Sequence, residues 1–197
     1  MPQRLDQILI IDVECTCWKN RIVPRGQKQE IIQIGLCLFD PQSCLLHGKR
    51  SIIVRPRYSA VSKFCTELTG ITPEEAARGI SFSLACHILK NEYLAEHRVW
   101  ASWGDFDRKR FRKQCGWEGI EYPFGDSHEN IRNLFSLLLG LSEKLEIPDA
   151  LKMLGMEFSG RLHRGDDDAW NIGRILSDLC TMTRILQKFS SSTDAYL

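Results

Sequence analysis

The chain has 197 residues, 43% apolar and 26% charged, and its 26 basic and 25 acidic side chains leave a net charge of +1. That composition excludes a disordered chain and gives ample length for one sizeable core. The charge balance neither selects nor excludes nucleic acid, so any binding face is local. No apolar run approaches the roughly 20 residues that span a bilayer, so no membrane partner is expected.

Residues 1–6 form a polar lead-in, and the apolar run 8–13 predicts a strand. The stretch QILIIDVECTCW, residues 7–18, sets Asp12 and Glu14 at the end of that strand. Residues i and i+2 of an extended chain share a face, so both carboxylates point one way and Val13 the other. Two like charges about 4 Å apart repel by roughly 4 kcal/mol at an effective dielectric near 20, and a divalent cation between them is the obvious relief. Residues 19–30, with Pro24 and Gly26, read as a loop beside the acidic strand end.

Two further β-rich runs, 31–39 and 45–54, flank the turn residues Asp40, Pro41 and Ser43. Three strands with short connections predict an antiparallel meander. Residues 55–72 read as irregular. Thr72, Pro73 and Glu75 then mark a helix start as N-cap, N1 and N3. The helical region they open covers 73–96, interrupted at 79–81. A short strand over 98–102 ends at Trp103-Gly104-Asp105, and a basic helix with Arg108, Lys109, Arg110, Arg112 and Lys113 runs to about Gly116. A loop over 117–127, a short strand over 130–133, an apolar helix over 134–139 and a short helix over 148–154 lead to a last long helix, 166–189. Residues 190–197 read as a loose tail. The pattern predicts one α/β domain over 1–197, with its core at about 7–189 and a mixed sheet whose strand ends carry function.

The eight cysteines contain no CxxC pair. Several sit in apolar runs, where a thiol packs as a small hydrophobe. With no secretory signal at the start, they are expected to be reduced thiols of a cytoplasmic protein, and a structural zinc site is not expected.

Two other places offer acids at element boundaries. Asp105 follows the strand over 98–102 and opens a helix, with Asp107 as its near neighbour and alternative; a plain N-cap is the blander account of Asp105. His163 and Asp168 stand with four residues between them, and Gly165 gives the backbone freedom to turn both towards one cleft. First-turn charge on a helix is the blander account of Asp166–Asp168. An imidazole beside metal-held carboxylates suits a general base, and acids, hard cations and a base together suit in-line attack on a phosphodiester.

Taken in order, DxE, a middle Asp and HxxxxD resemble the DEDDh branch of the DEDD 3′–5′ exonuclease superfamily, and more closely its enhanced-RNAi (Eri-1-like) exoribonucleases. IIDVECTCW resembles the first motif of that group, VRPRYSAVSKFCTELTGIT a following segment, SWGDFDRKRF the second motif and GRLHRGDDDAWNIGRIL the third. The likeness runs from Ile8 to Leu186. It implies a ribonuclease H-like, mixed five-stranded sheet flanked by helices. It also implies a 3′–5′ exonuclease that uses two divalent cations, Mg²⁺ or Mn²⁺, to release nucleoside 5′-monophosphates from single-stranded 3′ ends, RNA favoured over DNA.

Carried over by position, Asp12, Glu14, Asp105 and Asp168 would be the metal-associated acids and His163 the general base. Cys15, Thr16, Leu68, Thr69 and Ile71 would approach the terminal nucleotide. Trp103 would stack on a base, the competing account being a core tryptophan. The basic residues at 108–113 would track phosphates, the competing account being a solvated helix face. The chain departs from the pattern at Gly165, where many members have alanine, and at Asp166, whose extra charge is expected to raise local repulsion. The alternatives are a nuclease for single-stranded DNA or both polymers, and a non-cleaving RNA-binding regulator on the same fold.

Overall fold

The computed structural model describes residues 4–193. Strands β1 (Arg4–Cys15), β2 (Ile31–Asp40) and β3 (Leu45–Ile53) form the expected antiparallel meander. β4 (Arg98–Ser102) and β5 (His128–Asn130) add in parallel on the other side of β1, giving a five-stranded sheet of order β3-β2-β1-β4-β5. β1 is therefore central, and its C-terminal end lies beside the C-terminal end of β4.

Helices α1 (Lys63–Thr69), α2 (Pro73–Ala77), α3 (Phe82–Glu92), α4 (Phe106–Glu118), α5 (Ile131–Leu138), α6 (Ile147–Met153) and α7 (Gly165–Thr193) complete this single domain. Alternation along β1 divides the interior into two cores. Leu9, Ile11 and Val13 face α3 and α4, packing with Phe82, Leu89 and Phe111. Ile10 faces α5, α6 and α7, packing with Phe135, Leu151, Ala169, Ile172 and Leu176. The spacing of the α7 residues keeps one face on the sheet. Asp12 and Glu14 continue the register of Ile10, so they emerge on the α7 side.

Several boundaries differ from the sequence reading. β1 begins at Arg4, whose N–H donates to the His97 carbonyl at 2.7 Å, so residues 4–6 of the polar lead-in are already strand. Within the stretch read as irregular, α1 is closed at its start by Ser62 Oγ, which accepts from Cys65 N–H at 3.0 Å, and ends at Gly70, φ 76°. Seven residues are too few for a 3.6-residue pattern to stand out. β5 lies earlier than predicted because Asn130 caps α5, its Oδ1 accepting from Asn133 N–H at 3.0 Å. The interruption at 79–81 is real and separates α2 from α3. α7 continues to Thr193, into the stretch read as tail; residues 194–197 lie outside the described residues. Among the described residues, no helix is long and apolar enough to cross a membrane.

Candidate active site

The end of β1 opens into a cavity of about 420 Å³ lined by Asp12, Glu14, Asp107, His163 and Asp168, with Trp103, Phe106, Pro148 and Leu162 among its apolar walls. Carboxylate oxygens of Asp12, Glu14 and Asp168 all lie within 4.8 Å of one another. The acid pair on the strand and the inward-facing acid in the first turn of the long helix thus meet.

The structure corrects the middle acid. Asp105 does not line the cavity; it stands at the N-cap of α4 without a side-chain capping bond, its carboxylate accepting from Arg108 at 2.9 Å and from Asn130 at 3.4 Å. Asp107 is the acid that lines it, 3% exposed, with Oδ1 accepting the Val13 N–H at 3.0 Å. Helical phase is the reason. Asp107, Phe111, Gln114 and Cys115 are the buried residues of α4, spaced i, i+4, i+7 and i+8, whereas Asp105 precedes the helix. That stripe was visible in the sequence and is the signal that separates the two aspartates.

The start of α7 is brought to the sheet by two glycines. Gly35 pairs with Asp12 across β1 and β2, and a Cβ there would overlap the Gly165 carbonyl group. A Cβ on Gly165 would in turn stand 3.0 Å from the Asp12 carbonyl oxygen. Gln33, fully buried opposite Glu14, clamps the junction: its Oε1 accepts from Gly165 N–H at 3.0 Å and its Nε2 donates to Asp166 at 3.0 Å and Ser51 at 2.8 Å. Gly165 therefore serves close approach, and the left-handed turn falls on His163, φ 62°. A non-glycine residue held in that region is uncommon and costs energy that the surrounding contacts must offset. Glu75 supplies one such contact, bound by Arg164 at 2.6 Å.

Among the described residues, no cation forms an ion pair with the four acids, although the charge of Arg164 eases Glu14 a little. Burial, then the charges of Asp107, Asp168 and Glu14, raise Asp12 well above the carboxylate range. Burial and Asp168 push Glu14 up to about 8. Burial lifts Asp168 to about 7, against backbone N–H donors from Arg164 and His163 that pull it down. Asp107 rises least, to about 6, because hydrogen bonds from Val13, its own N–H and Ser102 offset part of its burial. Asp168 Oδ2 is buried without a hydrogen-bond partner. Hard carboxylate oxygens, closely spaced and lacking a donor, fit a hard divalent cation. His163 sits on the exposed lip, where desolvation and the nearby Arg161 hold its pKa below the usual histidine value.

Of the expected nucleotide contacts, Trp103 lines the cavity, its indole N–H donating to the Leu145 carbonyl at 3.1 Å. Leu68 lines a neighbouring groove that shares Phe106 with it. Thr16, Thr69 and Ile71 are fully buried and Cys15 nearly so, none of them lining the cavity. Thr16 Oγ1 is spent between the Lys28 carbonyl and the Glu30 N–H, and Ile71 packs with Ile32 and Cys65. The basic residues of α4 are largely engaged within the protein: Arg110 with Gln29, Arg112 over Tyr122 and Lys113 over Trp117. Phe106, Glu146 and Leu162 line the cavity although no sequence pattern singled them out.

Comparison with known proteins agrees with this geometry. Rat 3′-5′ exoribonuclease 1 is 31% identical over 200 residues, 93% of this chain and 56% of that protein. The 3′-5′ exonuclease Snipper of Drosophila melanogaster is 26% identical over 213 residues, 98% of this chain and 74% of its own length. This chain therefore spans about three-quarters of Snipper and about half of the rat protein. Among solved structures, the nuclease domain of 3′hExo, a DEDDh family member bound to rAMP, is 29% identical with a TM-score of 0.79, and the match covers 95% of each chain. E. coli Exonuclease I in complex with a dT13 oligonucleotide, 14% identical with a TM-score of 0.69 over 93% of this chain and 43% of that one, shares the fold. Residues 9–176, most of the sheet and the site with it, match the family model RNase_T, described as Exonuclease, and the chain belongs to that family.

Proposed function

We propose that this protein is a divalent-metal-dependent 3′–5′ exonuclease that shortens single-stranded RNA by one nucleoside 5′-monophosphate at a time. The observation that carries this reading is the cluster of Asp12, Glu14 and Asp168 oxygens within 4.8 Å of one another. Two relatives support RNA as the polymer: the rat exoribonuclease, and a 3′-exonuclease solved in 3′-end specific recognition of a histone mRNA stem-loop, 28% identical with a TM-score of 0.79 over 91% of this chain and 65% of that one. The eight cysteines are free, which fits a reducing compartment such as the cytoplasm.

Asp12, Glu14 and Asp168, with Asp107 in the place the sequence reading gave Asp105, would hold two Mg²⁺ or Mn²⁺ ions. When bound, these would polarise the scissile phosphate, lower the pKa of the attacking water and stabilise the leaving oxygen. His163, on the lip, takes the proton from that water through an imidazole nitrogen. Water adds to phosphorus, the bond to the 3′ oxygen of the preceding nucleotide breaks, and that oxygen takes up a proton from solvent. A nucleoside 5′-monophosphate leaves, and a new 3′-hydroxyl remains on the strand. Phe106, Leu162 and Trp103 offer apolar and aromatic surface to the terminal base.

The test is a time course on matched 5′-labelled single-stranded RNA and DNA with Mg²⁺, Mn²⁺ or EDTA, run beside Asp12→Ala. A metal-dependent ladder that shortens RNA faster, lost in the variant, is the expected result. Faster loss of DNA would overturn the polymer assignment. Tight binding without cleavage of either polymer would replace the enzyme with a binding protein.

A further inference from the structure

The turn that carries His163 is held by a part of the chain that the chemistry above does not use. Leu162 and His163 line the cavity from residues 160–164, just before α7 begins at Gly165. Three bonds fasten this turn to α7. The Arg161 N–H donates to Asp167 Oδ2 at 2.8 Å, and the Arg164 carbonyl accepts the N–H groups of Asp167 and Asp168 at 2.8 and 3.0 Å. His163 lies between these tied residues, at φ 62°.

The side chains of the same two arginines reach away from α7, to α1 and α2. Arg164 Nη2 donates to Glu75 Oε1 at 2.6 Å, across 89 residues of sequence. Arg161 Nη2 donates to the Glu67 carbonyl at 3.4 Å, and its guanidinium lies against Gly70, where a Cβ would overlap it. A guanidinium on either side of His163 therefore docks on one segment, residues 67–75. Glu75 is presented firmly there, because its own N–H donates to Thr72 Oγ1 at 3.1 Å in the capped first turn of α2. The Arg164 and Glu75 side chains are only 26% and 33% exposed, so their charge-assisted bond is partly shielded from water.

We infer that Glu75, acting through Arg164, is a positioning residue for His163, holding the imidazole at the cavity lip in a backbone conformation that a non-glycine residue seldom adopts. The inference rests on the reading of His163 as the base. A base must stand within hydrogen-bond reach of the proton it takes, so a small displacement costs rate rather than substrate affinity. The charge of Arg164 also eases Glu14, which gives Glu75 a competing route to the metal-holding acids.

The experiment separates the two routes in the full chain. Glu75→Ala should lower kcat by roughly 10- to 100-fold, with KM for 5′-labelled single-stranded RNA and affinity for Mn²⁺ near wild type. Glu75→Gln keeps a carbonyl oxygen for Arg164 and should recover most of the rate. In a His163→Ala background, Glu75→Ala should cost nothing further, because the residue it positions is gone. In metal-free protein, the NMR ring C–H signal of His163, identified by its loss in His163→Ala, should move in Glu75→Ala and stay in Glu75→Gln. An equal loss of rate in both backgrounds would place the effect on the acids or the fold and overturn the inference. A lowered melting temperature with unchanged kcat would overturn it as well. Should Glu75→Ala fail to fold, Arg164→Met breaks the same pair from the other side and is read in the same way. If wild type cleaves nothing, the exonuclease reading falls by itself; the His163 signal then decides whether Glu75 holds the ring, and an unmoved signal overturns the inference.

Discussion

Two groups of acids meet at the start of α7 and are treated in opposite ways. On the outer flank, Lys49 pairs with both Asp166 and Asp167, Gln33 donates to Asp166, and the Arg161 N–H donates to Asp167 at 2.8 Å. Desolvation alone would raise Asp167, yet its bonds to Lys49 and Arg161 bring it below the usual carboxylate range. One residue further on, Asp168 turns inward to Asp12, Glu14 and Asp107, where no ion pair forms among the described residues, only the charge of Arg164 acts on Glu14, and burial raises all four. The same residue type, within one helical turn, is neutralised on one side and left repelling on the other. Asp166 shows how local the distinction is: Gln33 and Lys49 hold it, so the repulsion expected of its extra charge is partly met, though it still contributes to raising Asp168. A buried carboxylate without a partner takes up a proton unless something outside the chain balances its charge.

The comparison can be broken most sharply at its centre. Asp12→Ala removes the carboxylate raised by all three of its neighbours, and RNA hydrolysis should fall by roughly 10⁴-fold or more. Wild-type rates in that variant would sink the assignment. His163→Ala should slow the chemical step by about 10²- to 10⁴-fold while sparing metal affinity. In the wild type, the acid limb of a pH–rate profile should fall below the ordinary histidine value of about 6.5, because the base works only when neutral and its pKa is lowered. Asp107→Asn should cost about 10²- to 10³-fold in rate, in the range for loss of one transition-state contact. Asp105→Asn, beside it, loses only a half-exposed pair to Arg108 and should leave the rate near wild type. Equal losses from the two would contradict the helical-phase argument.

Melting in EDTA reads the repulsion directly. Glu14, Asp168 and Asp107 titrate near 8, 7 and 6 in the folded chain, against about 4 when unfolded. The folded state therefore holds more protons over that interval. Stability from these groups is complete below pH 4 and is lost as pH rises through 6 to 8. Melting temperature in EDTA should fall by several degrees from pH 6 to pH 8, and Mn²⁺ should restore it; a flat profile would mean the acids are not in conflict. The smallest effect belongs to the outer flank. Lys49→Ala breaks a partly exposed pair and should cost at most about 1 kcal/mol, with Mn²⁺ affinity unchanged.

Much of this was legible along the chain. Alternation in β1 placed Asp12 and Glu14 on one face and Val13 on the other, because strand geometry is local. The meander, the capped start of α2 and the acid-bearing start of α7 were likewise readable, since turn residues, N-caps and hydrophobic spacing act over a few positions. His163 and Asp168 were paired by spacing alone, and the structure sets both on the same cavity.

Contacts between elements distant in sequence decided the rest. The stripe of α4 favours Asp107 over Asp105, but what fixes Asp107 at the cavity is how α4 docks against β1, through the bond between Val13 and Asp107. Gly35, Gln33 and Gly165 became meaningful only when β2 met the start of α7. Thr16, Thr69 and Ile71 looked available to a ligand as a motif but are closed off by packing. The sequence by itself determined which residues carry charge and which way each element faces, because those follow from local backbone geometry. Only the tertiary structure decided which charges are neutralised, because a carboxylate's partner can lie more than a hundred residues away.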